Sequence, residues 1–169
     1  QSFSYHTPWW PYYKQLNEYF ARLSFVLSQG SQQNSILIIE PTSSAWMYAR
    51  PGMRHEGMTA IGNRFQQFIT TLEKAQVEYD LGSENIIKDH GKAQGKHFIV
   101  GERAYSTVVI PPGMENIDKQ TYELLKSYAQ AGGKVVLFDK LQRIDGALNK
   151  EREYFSRAND HILHPAALT

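Results

Sequence analysis

The chain has 169 residues, 41% of them hydrophobic and 21% charged, which is enough for one well-buried core and short for two. Lys and Arg (18) nearly balance Asp and Glu (17) with no basic stripe, so nucleic acid and anionic membrane surfaces have no electrostatic support as partners. Cysteine is absent, which excludes thiol catalysis, disulfides and cysteine-based zinc sites, and neither a membrane-length apolar run nor a secretory-signal pattern occurs.

The opening QSFSYHTPWWPYY is rich in aromatics and proline and has no clean period. From Leu16 onward, Tyr19, Phe20, Leu23, Val26 and Leu27 recur at helical spacing, with Lys14, Gln15, Asn17, Glu18 and Arg22 mostly between them. This spacing predicts an amphipathic helix of about five turns, with Gly30 as its C-terminal cap. SILII (35–39) has no alternation, as expected of a strand buried on both faces. Residues 42–58, with Arg50, Pro51, Gly52, His55 and Gly57, predict a long loop of the kind that is often functional or interface-forming.

Ile61, Phe65, Phe68, Ile69, Leu72 and Ala75 mark a second helix. VEYDL (77–81) predicts a strand, and SENIIKDH a short helix capped by Ser83. KHFIVG and YSTVVIPPG predict a short strand and then a buried one. Ile117, Leu124, Leu125 and Tyr128 give helical periodicity over 116–130, ended by Gly132 and Gly133, and KVVLF (134–138) is another unalternated strand. The tail NKEREYFSRANDHILHPAALT begins as a charged helix. Strand, helix and strand repeating with short connections predict an α/β fold: a flavodoxin-like parallel sheet with helices on both faces.

Strand ends in such folds are where chemistry is sought. Amidotransferase-type sheets use a Cys on a strand-to-helix turn; here there is no Cys and no Gly-x-Ser-x-Gly elbow. Neither dinucleotide nor P-loop glycine patterns occur. The hydroxyls of EPTSSAW (40–46) could meet a phosphate, but helical periodicity begins only near Thr59, which favours Ser43 and Ser44 bonding their own loop backbone. His6, His55, His90, His97, His161 and His164 are scattered without ligand spacing, so no metal is expected. Glu40, at the mouth of a strand, suits a general acid or base, a partner for a neighbouring loop, or an ion pair with Arg50 or Arg54; no second carboxylate stands out for glycosidic chemistry. Tyr5, Trp9, Trp10, Tyr12, Tyr13, Trp46 and Tyr48 concentrate aromatics in the first third, which favours interface packing, with sugar stacking on Trp46 as the other reading.

Two stretches carry a family resemblance. WWPYYKQLNEYFARLSFVLSQG followed by SILIIEPTSSAWMY resembles the passage in large bacterial glycoside hydrolases where a catalytic (β/α)8 barrel ends and an α/β domain begins. It is closest to the α-L-rhamnosidase type of glycoside hydrolase family 106. GERAYSTVVIPPGMENIDKQTYELLKSYAQAGGKVVLF is similar to the same domain, and to the trimerisation domain of family 42 β-galactosidases, a class I glutamine-amidotransferase-like fold without its Cys. The resemblance spans roughly residues 7–145.

It implies a piece of a larger carbohydrate-degrading enzyme, non-catalytic alone, whose partner is the barrel of the same polypeptide. Carbohydrate and a second copy are further partners it admits, and a periplasmic or secreted parent is implied. No cofactor and no catalytic residue carry over. The family's segment after the first strand has a His-Pro-like or Tyr-Pro-like start, where this chain has Glu40 and Pro41, so the resemblance assigns no role to position 40. The expected organisation is an aromatic segment and helix at 1–30, an α/β domain at 31–145 and a helix or linker at 146–169. Glu40, Trp46, Arg50 and His55 are the candidate substrate or interface residues. The reading from another class is a flavodoxin-like module that binds a nucleotide or flavin.

Overall fold

The computed structural model describes residues 4–49, 51–52, 55–150 and 155–157. The chain divides into two compact units, 1–33 and 34–169.

The first unit is built on α1 (Trp10–Leu27). It starts earlier than the periodicity from Leu16 predicts because Pro11 sits in its first turn, where a missing N–H costs nothing and a fixed φ helps. Its last turn closes through Ser28, whose N–H donates to the Ser24 carbonyl, and Gly30 follows at φ +77°. No residue of α1 is buried; Leu16, Tyr19, Phe20, Leu23, Val26 and Leu27 all stand exposed.

The second unit is an α/β fold. Its elements in chain order are β1 (Ile36–Ile39), α2 (Thr42–Trp46), α3 (Glu56–Lys74), β2 (Asp80–Gly82) and α4 (Glu84–His90). Next come β3 (Gly91–Gln94), β4 (His97–Val100), β5 (Arg103–Tyr105), β6 (Thr107–Ile110) and β7 (Asn116–Ile117). The chain continues through α5 (Lys119–Gln130), β8 (Lys134–Leu137), β9 (Arg143–Ile144), β10 (Ala147–Leu148) and β11 (Ser156–Arg157). The main sheet runs β2-β1-β6-β8-β11 with every neighbouring pair parallel. Counting only these strands, the order is 2-1-3-4-5, the flavodoxin-like winding, whose topological switch point lies between β1 and β6.

The unalternated aliphatic strands are explained by two cores. Ile36 and Ile38 of β1 pack with Val109, Val136 and the α3 residues Phe68, Ile69 and Leu72. Their neighbours Leu37 and Ile39 pack with Val108, Ile110, Val135 and Leu137 against Ile87 of α4 and Tyr122, Leu125 and Tyr128 of α5. A period of two therefore splits each strand between opposite faces, and both faces carry helices, as the sequence predicts. Gly132 (φ +87°) ends α5 in the left-handed conformation, and the Gly133 N–H closes on the Tyr128 carbonyl. Any Cβ at Gly133 would overlap the Tyr128 ring.

Several expectations are corrected. Residues 42–58 are not one loop: α2 begins at Thr42, and α3 begins at Glu56 behind the His55 cap. The strand expected at 77–81 starts only at Asp80, because Gln76 (φ +56°) lets the Val77 N–H reach back to Leu72 and finish α3. KHFIVG is the middle of an antiparallel three-stranded sheet, β3-β4-β5, outside the parallel one. Its Phe98 is fully buried, edge-on to Tyr128 at 5.5 Å. Asn116 and Ile117 form β7, not the start of the helix, and pair with β9 in a second small sheet. The charged helix expected in the tail falls mostly outside the described residues, but Ser156 and Arg157 pair with β8 as a strand.

The amino ends of three strands are tied together. Asn34 Nδ2 donates to Asp80 Oδ1 at 2.6 Å, and the Tyr105 hydroxyl donates to Asp80 Oδ2 at 2.8 Å. Burial, then the Asp80 carboxylate, pushes the Tyr105 hydroxyl from 10.0 up to about 12. Tyr105→Phe should cost about 1.5 kcal/mol, the worth of a bond to a charged acceptor, read by chemical denaturation at neutral pH. With the folded value above the unfolded one, this contribution is whole below pH 10 and is lost as pH rises toward 12. The Phe variant should therefore lose less stability than the native chain across that window.

Candidate functional site

The carboxyl ends of β1, β2 and β6 feed three segments that meet: 40–48 after β1, 83–88 after β2 and 111–118 after β6. In a flavodoxin-like winding the ligand crevice opens between the segments after β1 and β6. Here that crevice is stitched shut. The Ser44 Oγ, fully buried, accepts from the backbone N–H groups of Glu115 (3.0 Å) and Asn116 (2.9 Å) and donates to the Asn116 carbonyl at 2.9 Å. The Ser43 Oγ donates to the same carbonyl at 3.2 Å. These hydroxyls satisfy the neighbouring strand's loop, not their own, which corrects the sequence expectation. They also explain why four low-propensity residues hold a turn of helix: tertiary bonds override the local preference.

A second brace joins the segments after β2 and β6. Glu84, only 6% exposed, accepts from the Asp118 N–H at Oε1 (2.6 Å) and from the Ser43 N–H at Oε2 (3.4 Å). Burial raises its carboxyl above the ordinary value, against the Ser43 and Asp118 hydrogen bonds that favour the charged form. A third brace runs from the Gly113 N–H to Asp139 Oδ2 at 2.7 Å, linking the ends of β6 and β8. The Tyr48 hydroxyl donates to Glu115 Oε2 at 2.8 Å; that carboxylate, more than partial burial, raises the phenol's value. Every one of these polar groups is spent on holding loops.

The candidate residues from the sequence fare differently. Glu40 is half-buried, and its backbone N–H donates to the Gly82 carbonyl, extending the β1–β2 ladder. His55 is a helix cap: its Nδ1 accepts from the Gly57 N–H at 3.2 Å, and its ring stacks on Tyr48 at 5.2 Å. Arg50 lies outside the described residues, as do Arg54, His161 and His164. Trp46 is 72% exposed and stands where two hollows meet. On one side is a shallow, largely apolar groove of about 330 Å³ reaching Glu40, Pro41, Met58, Ile61 and Phe65. On the other is a half-open hollow of about 120 Å³, with mixed polar and apolar walls, toward Ser83, Asn85, Lys88 and Asp118. The structure thus brings Glu40 and Trp46 to one groove.

Sequence reading missed Glu84, Asn85, Lys88, Glu115 and Asn116. Ser83–Glu84 carries the ordinary mark of a helix start, which hides a brace to another loop. Among the described residues no three His, Asp or Glu side chains gather as a metal site, and no helix is long and apolar enough to cross a membrane. Comparison with known proteins adds no family: no protein-family model and no curated protein matches the chain.

Proposed function

We propose that the chain is a non-catalytic accessory domain of a carbohydrate-degrading glycoside hydrolase, packing against the catalytic barrel of the same polypeptide and bordering its substrate cleft. The observation that carries the reading is the stitched switch point. Where a flavodoxin-like sheet would admit a ligand, Ser43 and Ser44 are bonded to the Asn116 segment. That argues against the flavin or nucleotide module.

What the chain offers instead is contact surface. α1 has no buried residue, no side-chain N-cap, and no acidic first turn or basic last turn. Its single i,i+4 ion pair, Lys14–Glu18 at 3.7 Å, is exposed and contributes little among the described residues. An isolated helix of this length is marginal in water, so its apolar stripe calls for a covering partner. The WWPYY and SILIIEP stretches, which resemble the barrel-to-domain junction, give that partner its class.

A photo-crosslinker replacing Tyr19 in the intact reading frame should capture peptides of a preceding (β/α)8 domain. Phe20→Asp with Leu23→Asp should abolish that capture and leave the melting of the α/β unit unchanged. A reading frame without a barrel, or capture only of a second copy of the chain, overturns the assignment. The isolated chain should turn over no aryl glycoside or ester; turnover lost on Glu40→Gln would refute its non-catalytic character.

A further inference from the structure

We infer that the polar cavity against Trp46 is a binding site for a single pyranose ring. The inference goes beyond the accessory-domain reading, since it gives the chain a ligand of its own and does not depend on what covers α1.

Around the switch point, Ser43, Ser44, Glu84 and Asp139 are occupied by backbone partners. Ser43 and Glu84 also line the cavity against Trp46, and the other polar groups there differ from them. Thr42, Asn85 and Lys88 have no side-chain hydrogen bond or ion pair among the described residues, and Ser83 makes no side-chain cap bond. These four come from two different segments, yet they line one cavity with the exposed indole. They offer two hydroxyls, an amide that donates and accepts, and an ammonium donor, next to the carboxylates of Glu84 and Asp118.

A ligand that suits this set has an apolar face for the indole and an edge carrying both donors and acceptors. A pyranose ring has both: axial C–H groups on one face and hydroxyls around the rim. A phosphate lacks the apolar face and would meet the two carboxylates. A flat heteroaromatic would stack on the indole, but it has no rim of hydroxyls, each able to donate and accept at once, to meet Thr42, Ser83, Asn85 and Lys88. The cavity admits one ring, so affinity should be modest, on the order of millimolar. A longer glycan would leave along the apolar groove on the opposite side of Trp46, which shares Thr42 and Trp46 with the cavity.

The test is a titration of the full 15N-labelled chain with glucose, galactose, rhamnose and galacturonate, followed by NMR. The Trp46 indole and Asn85 amide signals should shift saturably with at least one of these sugars. Trp46 is exposed, so Trp46→Ala should keep the native fold and spectrum and weaken binding about tenfold or more. Trp46→Phe should recover part of the affinity, and Asn85→Ala should weaken binding without disturbing the indole environment. No saturable shift with any sugar, or equal binding by the Trp46→Ala chain, overturns the site. So does tighter binding of flavin mononucleotide or ADP at the same signals. None of these results bears on crosslinking from Tyr19, so failure here is distinguishable from failure of the accessory-domain reading.

Discussion

Ser44→Ala should destabilise the α/β unit by about 3 kcal/mol. The side chain is small and its burial contributes little; the cost lies in what it leaves behind. Its Oγ accepts from two backbone N–H groups, those of Glu115 and Asn116, and donates to the Asn116 carbonyl. The residue is wholly shielded from water, so both N–H groups would be orphaned in a buried position, at about 1–3 kcal/mol each. For a chain of this size that corresponds to a drop in Tm of about 6–12 °C. Ser43→Ala is the internal control: its hydroxyl is half-exposed, bonds the same carbonyl at 3.2 Å and reaches the Glu84 carboxylate, but its removal orphans no backbone N–H, so its loss should stay below about 1 kcal/mol. Amide exchange adds a readout specific to the stitch, because the Glu115 and Asn116 amides should lose protection in the Ser44 variant before the β1 and β6 amides do. A Ser44→Ala chain as stable as the Ser43→Ala chain would mean that the switch point is not held closed by this hydroxyl.

The fold was legible because its central signal is compositional. ILII, TVVI and KVVL have no alternation, and only a sheet covered on both faces explains this; the two cores on either side of β1, β6 and β8 are the physical counterpart. The long helices α3 and α5 were legible from apolar periodicity, which survives tertiary context over many turns. What was hidden is short. α2 has too few residues for a period and is fixed by bonds to a segment more than seventy residues away. β3 and β5 are held by pairing with β4 and by the burial of Phe98 and Tyr105, and neither strand has an aliphatic run of its own. The turn at Asp145 (φ +49°) and Gly146 (φ +75°) carries a recognisable Asp-Gly hairpin signal, but its two-residue arms offer no pattern beside it.

The site was legible only in part, for a related reason. Sequence marked the mouth of β1 as the place to look, and Glu40 and Trp46 do share a groove there. His55, a candidate substrate or interface residue in the sequence, also caps α3, because a ring nitrogen accepting the Gly57 N–H does what Asp or Ser does elsewhere. Glu84 was missed and is a buried brace, since nothing local in SENII reveals that Asp118 will lie against it. Function at strand ends is assembled from segments far apart in the chain, and a single sequence does not record which of them meet.

Glu84 supplies the other large effect, and its sign depends on the substitution. Glu84→Ala removes the acceptor of the 2.6 Å bond from the Asp118 N–H and leaves a gap at a position 6% exposed, so a loss of about 3 kcal/mol is expected at neutral pH. Glu84→Gln keeps an acceptor of the same shape for Asp118 and abolishes the burial of a charge; these changes oppose each other and should leave stability within about 1 kcal/mol. The pH dependence separates a brace from a mere packing residue. Burial raises the folded-state value above the ordinary 4.5, so on acidification the folded chain takes up the proton before the unfolded chain does. Stability relative to Glu84→Gln should therefore rise as pH falls from neutral through the raised value, and level off near 4.5 where the unfolded chain also protonates. Urea denaturation of the two chains at several pH values in that window reads the difference directly. A buried carboxyl with a raised value is also what a general acid requires. Here one oxygen takes the Asp118 N–H and the other the Ser43 N–H, so the group is committed to backbone in the resting fold. A difference that stays flat with pH would show that Glu84 is hydrated or open to the cavity, and the carboxylate would then return as a candidate for chemistry.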